Sequence, residues 1–503
     1  MYLEGNLQAM ERSRESYWMR YPSTSPVKLH WRALAVRHSF HVLPGEQILE
    51  LGSGSGLWAE HLTGVLRGQN PITAAVFNEE FLHLAMQLPN VRFVHVKDLQ
   101  KDLPAEGFDY IVGTAILCHN LYAQNLQALY RLLKPGGQIL FFEANYWNPQ
   151  VAAKNLIRPL GRWAGIAECE LGLRKYVLMK VASHQGFVDI DIIPYDIVHP
   201  RTPRFLLRAL KSLAFVLEHT PGTRDVCGTL YIWAKKPGDG EARRPRTNLA
   251  EHESLYRSTS FVVPCHNEEM NVGPLVESVL RYYGPYVHEI VIVNDGSRDR
   301  TAEVASELAQ KEPRIKVVNR NPPNGVGRAL RDGIAAATGR YILTMDCDFV
   351  HILPEFRDLF DAVAAGHDGA IGSRFSPESL LINYPALKIV CNRAFHLLAN
   401  ILLPTHMRDV SNNLKLYRAE IFKGLEIEQP GFAANAETGL KPLLSGYDIC
   451  EVPISWINRT IEMGVSSFHI RKVASGYIGV LAKAVSDTWR GRQRAVRAEK
   501  GSS

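Results

Sequence analysis

Short apolar runs recur along the chain, separated by stretches in which apolar residues return at helical spacing. In the first half, Gln47–Leu51, Thr73–Phe77, Val91–Val96, Tyr110–Thr114 and Gln138–Glu143 read as buried strands. Strands alternating with helices predict a parallel α/β sheet. The helix ahead of Lys134-Pro-Gly-Gly137 is expected to end with Lys in its last turn and Pro and Gly beyond it. Val226–Lys235 reads as a late strand closing that sheet. From Lys236 to Arg246 the periodicity disappears into Pro, Gly and charge, the composition of a linker. The alternation then resumes with Ser260–Val263, Glu289–Val293, Ile315–Val318 and Tyr341–Met345. No repeat relates the halves, so the pattern predicts two different α/β domains. The expected divisions are an extension over 1–30, a domain over 31–236, a linker over 237–256, a domain over 257–470, and an amphipathic helix with a basic tail over 471–503.

Composition narrows the class. A chain of 503 residues exceeds what one core serves, and 46% hydrophobic with 21% charged residues is ordinary globular protein. The net charge of +6 is too small at this length to imply nucleic acid. The 7 cysteines are scattered without a Cys-x-x-Cys clip, and their odd number argues against a disulfide framework; a reducing cytoplasm fits. Glu4, Glu11 and Glu15 exclude a secretory apolar core. Phe395–Pro404 is too short to span a bilayer, and Phe205–Leu217 is interrupted by Arg208 and Lys211. Near the end, Val473, Tyr477, Ile478, Leu481, Ala484, Val485 and Trp489 recur at helical spacing beside Lys472, Lys483 and Arg490. That is the pattern of a helix lying on an anionic membrane surface, and equally of a final helix packed on a core.

Ile48-Leu-Glu-Leu-Gly-Ser-Gly-Ser-Gly56 is a strand running through glycines into a helix, which turns backbone amides toward a polar ligand. Alone it is also a tight turn with no ligand. With Phe93-Val-His-Val-Lys-Asp-Leu99, Phe108-Asp-Tyr-Ile-Val112 and Arg131-Leu-Leu-Lys-Pro-Gly-Gly137 in order, residues 31–236 resemble the class I S-adenosylmethionine-dependent methyltransferases. The resemblance implies a doubly wound Rossmann-like sheet in which Glu50, Gly52, Ser53, Gly54 and Gly56 hold the methionine part of the cofactor and Asp98 lies beside the adenine. Val76 stands where that family usually places the acidic residue for the ribose, with Asn78 or Glu79 as substitutes. His119 lies where the family contacts substrate, although a lone histidine is more often structural. Ala152–Arg224, with Arg158, Arg162, Arg201, Arg204 and Arg208, reads as an acceptor cap or as a solvated basic face.

Phe261-Val-Val-Pro-Cys-His-Asn-Glu-Glu269 and Asn294-Asp-Gly-Ser-Arg-Asp-Arg-Thr301 each carry a strand into a polar turn; Asn-Asp-Gly-Ser alone reads as a helix cap. Met345-Asp-Cys-Asp348 adds two carboxylates at alternate positions past a strand, oxygen ligands suited to magnesium or manganese. Residues 260–472 resemble family 2 glycosyltransferases of the GT-A fold, in the dolichol-phosphate mannose synthase and polyprenyl-phosphate branch. The resemblance implies that Pro264, Glu268 and Asp295 hold the nucleoside, Gly325 the phosphates, and Asp346 and Asp348 the diphosphate and Mg2+ or Mn2+. It also points to Arg374 and to Arg459 followed by Gly464 and Ser466, while the branch's Ser-Gly-Phe stretch reads Asn412-Asn-Leu414 here. Val350 replaces a Gln of the branch, and Lys388 and Asn392 replace an Arg and a Ser thought to hold the acceptor phosphate. A lipid-phosphate acceptor needs basic neighbours such as Arg374, Lys388 and Arg459; a hydroxyl needs a carboxylate such as Glu437 or Asp409, and Glu437 could equally contact the nucleotide loop.

The expectation is a bifunctional enzyme of glycolipid or cell-surface glycan synthesis, with Asp348, Arg374, Glu437 and Arg459 as its transfer residues. Its partners are a nucleotide sugar, a polyprenyl-phosphate or glycan acceptor and a peripheral membrane surface. Two alternatives stand beside it: glycosylation of a hydroxyl on a glycan or natural product that the first domain methylates, and a glycosyltransferase whose first domain is a scaffold without catalysis.

Overall fold

The computed structural model describes residues 2–117, 122–156, 172–240, 244, 247–382, 384–457 and 470–501. The chain divides into two compact units, Met1–Pro245 and Arg246–Ser503, each built on its own sheet.

In the first unit the strands are β1 (Ile48–Leu51), β2 (Ile72–Val76), β3 (Val91–His95), β4 (Phe108–Thr114), β5 (Leu133–Ala144), β6 (Val188–Tyr195) and β7 (Thr229–Lys235), in the order 3-2-1-4-5-7-6. β1 to β5 are parallel, while β7 runs antiparallel to both β5 and β6. The order turns back between β1 and β4, which opens a crevice at the carboxyl ends of those strands. Leu49, Ile111, Ile139 and Phe141 pack against Leu126, Leu129 and Leu132, the apolar stripe of the helix Tyr122–Leu132.

Three expectations change here. The helix before Lys134 ends at Leu132, and Lys134 belongs to β5, where its Nζ pairs with Asp109 at 2.7 Å instead of capping a helix. The register jumps from Phe108 opposite Leu133 to Tyr110 opposite Gln138, so Pro135-Gly-Gly137 forms a bulge; a side chain on Gly136 would collide with the Gly240 backbone. β7 does not close the sheet, because β6 lies outside it and occupies part of the span expected as an acceptor cap. Asp189, Asp191 and Pro194 hide β6 from a search for apolar runs, and they are residues an edge strand tolerates.

The second unit holds β8 (Thr259–Cys265), β9 (Val287–Asn294), β10 (Ile315–Asn319), β11 (Tyr341–Thr344), β12 (Gly369–Ser373), β14 (Lys415–Arg418) and β15 (Ile449–Pro453), in the order 10-9-8-11-14-12-15. β13 (Leu381–Ile382) and β16 (Trp456–Ile457) pair separately. β14 is antiparallel to its neighbours β11 and β12, and the remaining pairs are parallel. Val262, Val291, Val293 and Ile342 meet Leu330 and Ile334 of the helix Val326–Ala336 in the core. β12 and β14 carry no apolar run: Gly369 is required because a side chain there would collide with Tyr417, and β14 begins on a buried lysine.

The segment expected as a linker is held at both ends. Arg244 bonds Glu46 at 3.0 Å and the carbonyl oxygens of Phe40 and His41 within the first unit. Leu249 donates to Tyr282 and Glu251 pairs with Arg357 within the second. The final helix, Ile470–Gly501, is likewise no free amphipathic surface. Val480 and Leu481 are buried in the core of the second unit, with Tyr477, Ala484 and Val485 packed beside them, while Ile478 and Trp489 face outward. Lys483 pairs with Glu428. The side chains of Val473, Lys472 and residues 491–501 lie outside the described residues.

Candidate active sites

In the first unit the chain leaves β1 through Gly52 (φ 63°) and Gly54 (φ 59°), left-handed conformations that glycine adopts without strain. A Cβ on Gly52 would lie 2.7 Å from Ile116. Glu50 is buried at the end of β1 and accepts from the Ser53 hydroxyl at 3.0 Å. Burial pushes its carboxyl up to about 7, against the pull of Arg14. Gly56 opens the helix Leu57–Val65. Glu50, Gly52, Ser53, Gly54 and Gly56 thus form one turn at the switch point. Asp98 lies beyond β3, where its carboxylate caps the Gln100 amide at 2.9 Å and pairs with Lys101 at 3.1 Å. His119, Arg158 and Arg162 lie outside the described residues, as do the side chains of Arg204 and Arg208.

The turn also meets residues that sequence reasoning missed. From the helix Tyr2–Arg20, Glu11 accepts from the Gly54 amide at 3.1 Å, the Phe77 amide at 3.0 Å and the Asn78 amide at 2.8 Å, and from Asn78 Nδ2 at 2.7 Å. Glu15 accepts from the Ser55 amide at 3.3 Å and from its hydroxyl. Arg14 reaches the Thr114 carbonyl at 3.5 Å. All three are buried. The spacing 11, 14, 15 puts them on one helix face, and nothing in the sequence marks that face as turned inward. Behind the turn, Glu143 accepts from the Ile116 and Leu117 amides at 2.8 and 2.9 Å, and Arg32 reaches the Thr114 hydroxyl. Buried carboxylates and convergent amides suit a ligand that is cationic and rich in hydroxyls, which fits an adenosyl sulfonium.

In the second unit, Pro264, Asp295 and the residues after β11 all stand at the carboxyl ends of neighbouring parallel strands. Asp295 is buried; it accepts from the Gly325 amide at 2.6 Å and pairs with Arg320, which also binds Asp332. Gly325 cannot carry a side chain, because a Cβ would collide with the Pro430 carbonyl. Glu268 donates its backbone amide to the Thr301 hydroxyl at 2.8 Å, and its carboxylate accepts from Asn271 Nδ2 at 2.5 Å.

Beyond β11, Asp346 Oδ1 accepts from Asn413 Nδ2 at 2.8 Å, so the Asn412-Asn-Leu414 stretch supplies a direct partner for the first aspartate. Asp348 follows in the same turn. Among the described residues no three His, Cys, Asp or Glu side chains gather as metal ligands. Two carboxylates at alternate positions are nevertheless oxygen donors of the kind magnesium or manganese takes together with diphosphate oxygens.

Arg374 follows β12 and grips Asp409 with Nε and Nη2, and it donates from Nη1 to the Tyr384 hydroxyl and from Nη2 to the Ser411 hydroxyl, each at 3.4 Å. Burial raises the Asp409 carboxyl, but the guanidinium outweighs it and holds the group at about 2. Asn392, on the helix Ala386–Leu402, donates to Ser411 at 3.0 Å. Lys388 belongs to the same helix. Lys415 is fully buried, donates to the Asn412 and Asn435 carbonyls, and is lowered to about 7 by burial against the attraction of Asp409 and Asp346. Glu437 spends both oxygens on the Glu428 and Gln429 amides and on Lys441 at 2.6 Å, which anchors that turn. Arg459, Gly464 and Ser466 lie outside the described residues.

Residues 260–425 match the family described as Glycosyl transferase family 2, and residues 48–137 match the one described as Methyltransferase domain. A polyprenol monophosphomannose synthase of Mycolicibacterium smegmatis is 32% identical over 215 residues, which cover 41% of this chain and 80% of that protein. A dolichol-phosphate mannosyltransferase of Pyrococcus furiosus is 30% identical over 200 residues, 39% of this chain and 56% of that one. The crystal structure of glucosyl-3-phosphoglycerate synthase from Mycobacterium tuberculosis with uridine diphosphate is 18% identical at a TM-score of 0.38, covering 48% of this chain and 86% of its own.

Proposed function

The chain belongs to glycosyl transferase family 2 through residues 260–425 and carries a methyltransferase domain ahead of it, and on that premise we propose a bifunctional enzyme of glycolipid assembly. The second unit moves a sugar from a nucleotide donor to a polyprenyl phosphate with inversion, and the first uses S-adenosylmethionine to methylate a product or carrier of the same assembly.

The observation that favours a phosphate acceptor is the commitment of both carboxylates that could have served a hydroxyl. Asp409 is gripped by Arg374, and Glu437 by the 428–429 turn and Lys441. A hydroxyl acceptor needs a base within reach, whereas an ionised phosphate needs cationic surroundings. Arg374 and Lys388 are the described cations assigned to that role. Pro264, Glu268 and Asp295 are assigned to the nucleoside, Gly325 to the phosphates, and Asp346 and Asp348 to a magnesium or manganese ion. What such an ion supplies is neutralisation of charge on the departing diphosphate. Asn413 fixes the Asp346 carboxylate for that task.

A lipid acceptor also requires a membrane, and no described helix is long and apolar enough to cross one. The helix Ala386–Leu402 instead exposes Leu387, Val390, Leu397, Leu398 and Ile401 at helical spacing. Its opposite side holds Asn392 and His396 against the Asp409–Ser411 segment. We assign that outward stripe to the bilayer surface, with the lipid phosphate reaching Arg374 around the helix.

Incubation with labelled nucleotide sugars, manganese and polyprenyl phosphate tests the reading. Label should enter an organic-soluble lipid phosphate and should cease to do so in EDTA; transfer to hydroxyl acceptors alone would overturn it. Methyl label from S-adenosylmethionine is expected on the same lipid-linked product.

A further inference from the structure

The helix Tyr2–Arg20 delivers a carboxylate, Glu11, that accepts from four donors, one at Oε1 and three at Oε2. Three of those donors are backbone amides from two separate strand ends: Gly54 after β1, and Phe77 and Asn78 after β2. The fourth is the Asn78 side chain. Beside it, Glu15 takes both the amide and the hydroxyl of Ser55. Amides aimed outward at the carboxyl end of a parallel sheet are the groups a bound nucleotide-like ligand uses. Here they are spent on side chains of the same chain. A Cβ placed on Gly54 would lie about as close to Glu15 as a hydrogen bond, 2.5 Å, so the space over the turn is filled as well.

The helix is fastened by Leu7 and Met10 in the core of the first unit and by buried Trp18, which fixes the height at which Glu11 and Glu15 enter. Glu11 and Glu50 share the attraction of Arg14, and burial raises both carboxyls. A ligand that brought acceptor oxygens or nitrogens to the amides and positive charge to the crowded carboxylates would compete well.

We propose that Glu11 is an internal ligand of the glycine turn: it occupies the amides of Gly54, Phe77 and Asn78, and the cofactor enters by displacing it. This rests on reading the first unit as S-adenosylmethionine-dependent, so the test has one arm that needs no cofactor. Hydrogen exchange on the full chain should find the Gly54, Phe77 and Asn78 amides protected in the wild type and exposed in Glu11→Ala. Calorimetry should then find S-adenosylmethionine bound about tenfold more tightly by Glu11→Ala, as when a competing closed state is removed. Glu11→Gln, which keeps the side-chain volume, is expected between the two and serves if the alanine variant does not fold. Amides that exchange alike in all three proteins would overturn the proposal, and so would weaker cofactor binding by folded variants, which would make Glu11 a cofactor ligand. Exposure of the amides with no cofactor binding by any variant would leave the internal ligand standing and remove the methyltransferase reading.

Discussion

Arg374 and Asp409 form a side-on ion pair, with Nε 2.6 Å from Oδ2 and Nη2 2.9 Å from Oδ1. Asp409 is wholly buried and also accepts from the Arg374 amide and the Ser411 hydroxyl. The pair closes the loop after β12 onto the loop before β14, beside the carboxylates after β11.

Removing one member of such a pair leaves a buried charge without its counter-ion. Asp409→Asn is expected to lower the stability of the second unit by about 3–5 kcal/mol, measured by denaturant unfolding. The double variant Arg374→Met with Asp409→Leu should lose less than the sum of the two single changes.

Asn413 touches Asp346 and no substrate group need be invoked for it. Asn413→Ala should weaken manganese affinity roughly 10–100-fold, as loss of a group orienting a metal ligand does. Asp348→Ala should abolish metal-dependent transfer. Manganese titration by calorimetry with nucleoside diphosphate present separates the two effects.

The first unit should lose stability as pH rises. Burial holds Glu50 and Glu143 at about 7 and Glu218 at about 8, all above the ordinary value of 4.5. Each group therefore binds its proton more tightly folded than unfolded, and that contribution is complete below pH 4.5 and fades as pH passes through 7 and 8. The melting temperature of this unit should be lower at pH 8.5 than at about pH 5.5, and Glu218→Gln should flatten the slope.

The outward stripe of Ala386–Leu402 gives a binding prediction. Replacing Leu397 and Ile401 with Lys should weaken partitioning onto neutral vesicles by more than about tenfold, since burying each such side chain is worth about 1.5–3 kcal/mol. Vesicle sedimentation measures it, and Leu213→Lys in the first unit serves as a control.

The strands around both sites were legible because each is a short apolar run ending in a polar turn, as at Leu49–Leu51 before Gly52 and at Val291–Val293 before Asp295. What was not legible has specific causes. β6 alternates aspartates with isoleucines, so it offers no run to find. Lys134 looks like a helix cap because Pro and Gly follow it, and only the pairing of β4 with β5 reveals a bulge. Asn413 appeared only as a departure from a family pattern, its contact with Asp346 lying 67 positions away in sequence. Glu11 and Glu15 served in the sequence only to exclude a secretory apolar core, because buried carboxylates and exposed ones look the same until their donors are placed.

The match to the glycosyltransferase family stops at residue 425, but the folded body does not. β15 pairs along the whole of β12, the helix Ala434–Leu444 is buried over most of its length, and Val480 and Leu481 close the core from the last helix. The inherited module and the cooperative one therefore have different borders. A fragment cut at the end of the family match would lose an edge strand and expose the apolar floor beneath it, so excising the glycosyltransferase for separate study requires the chain through the final helix.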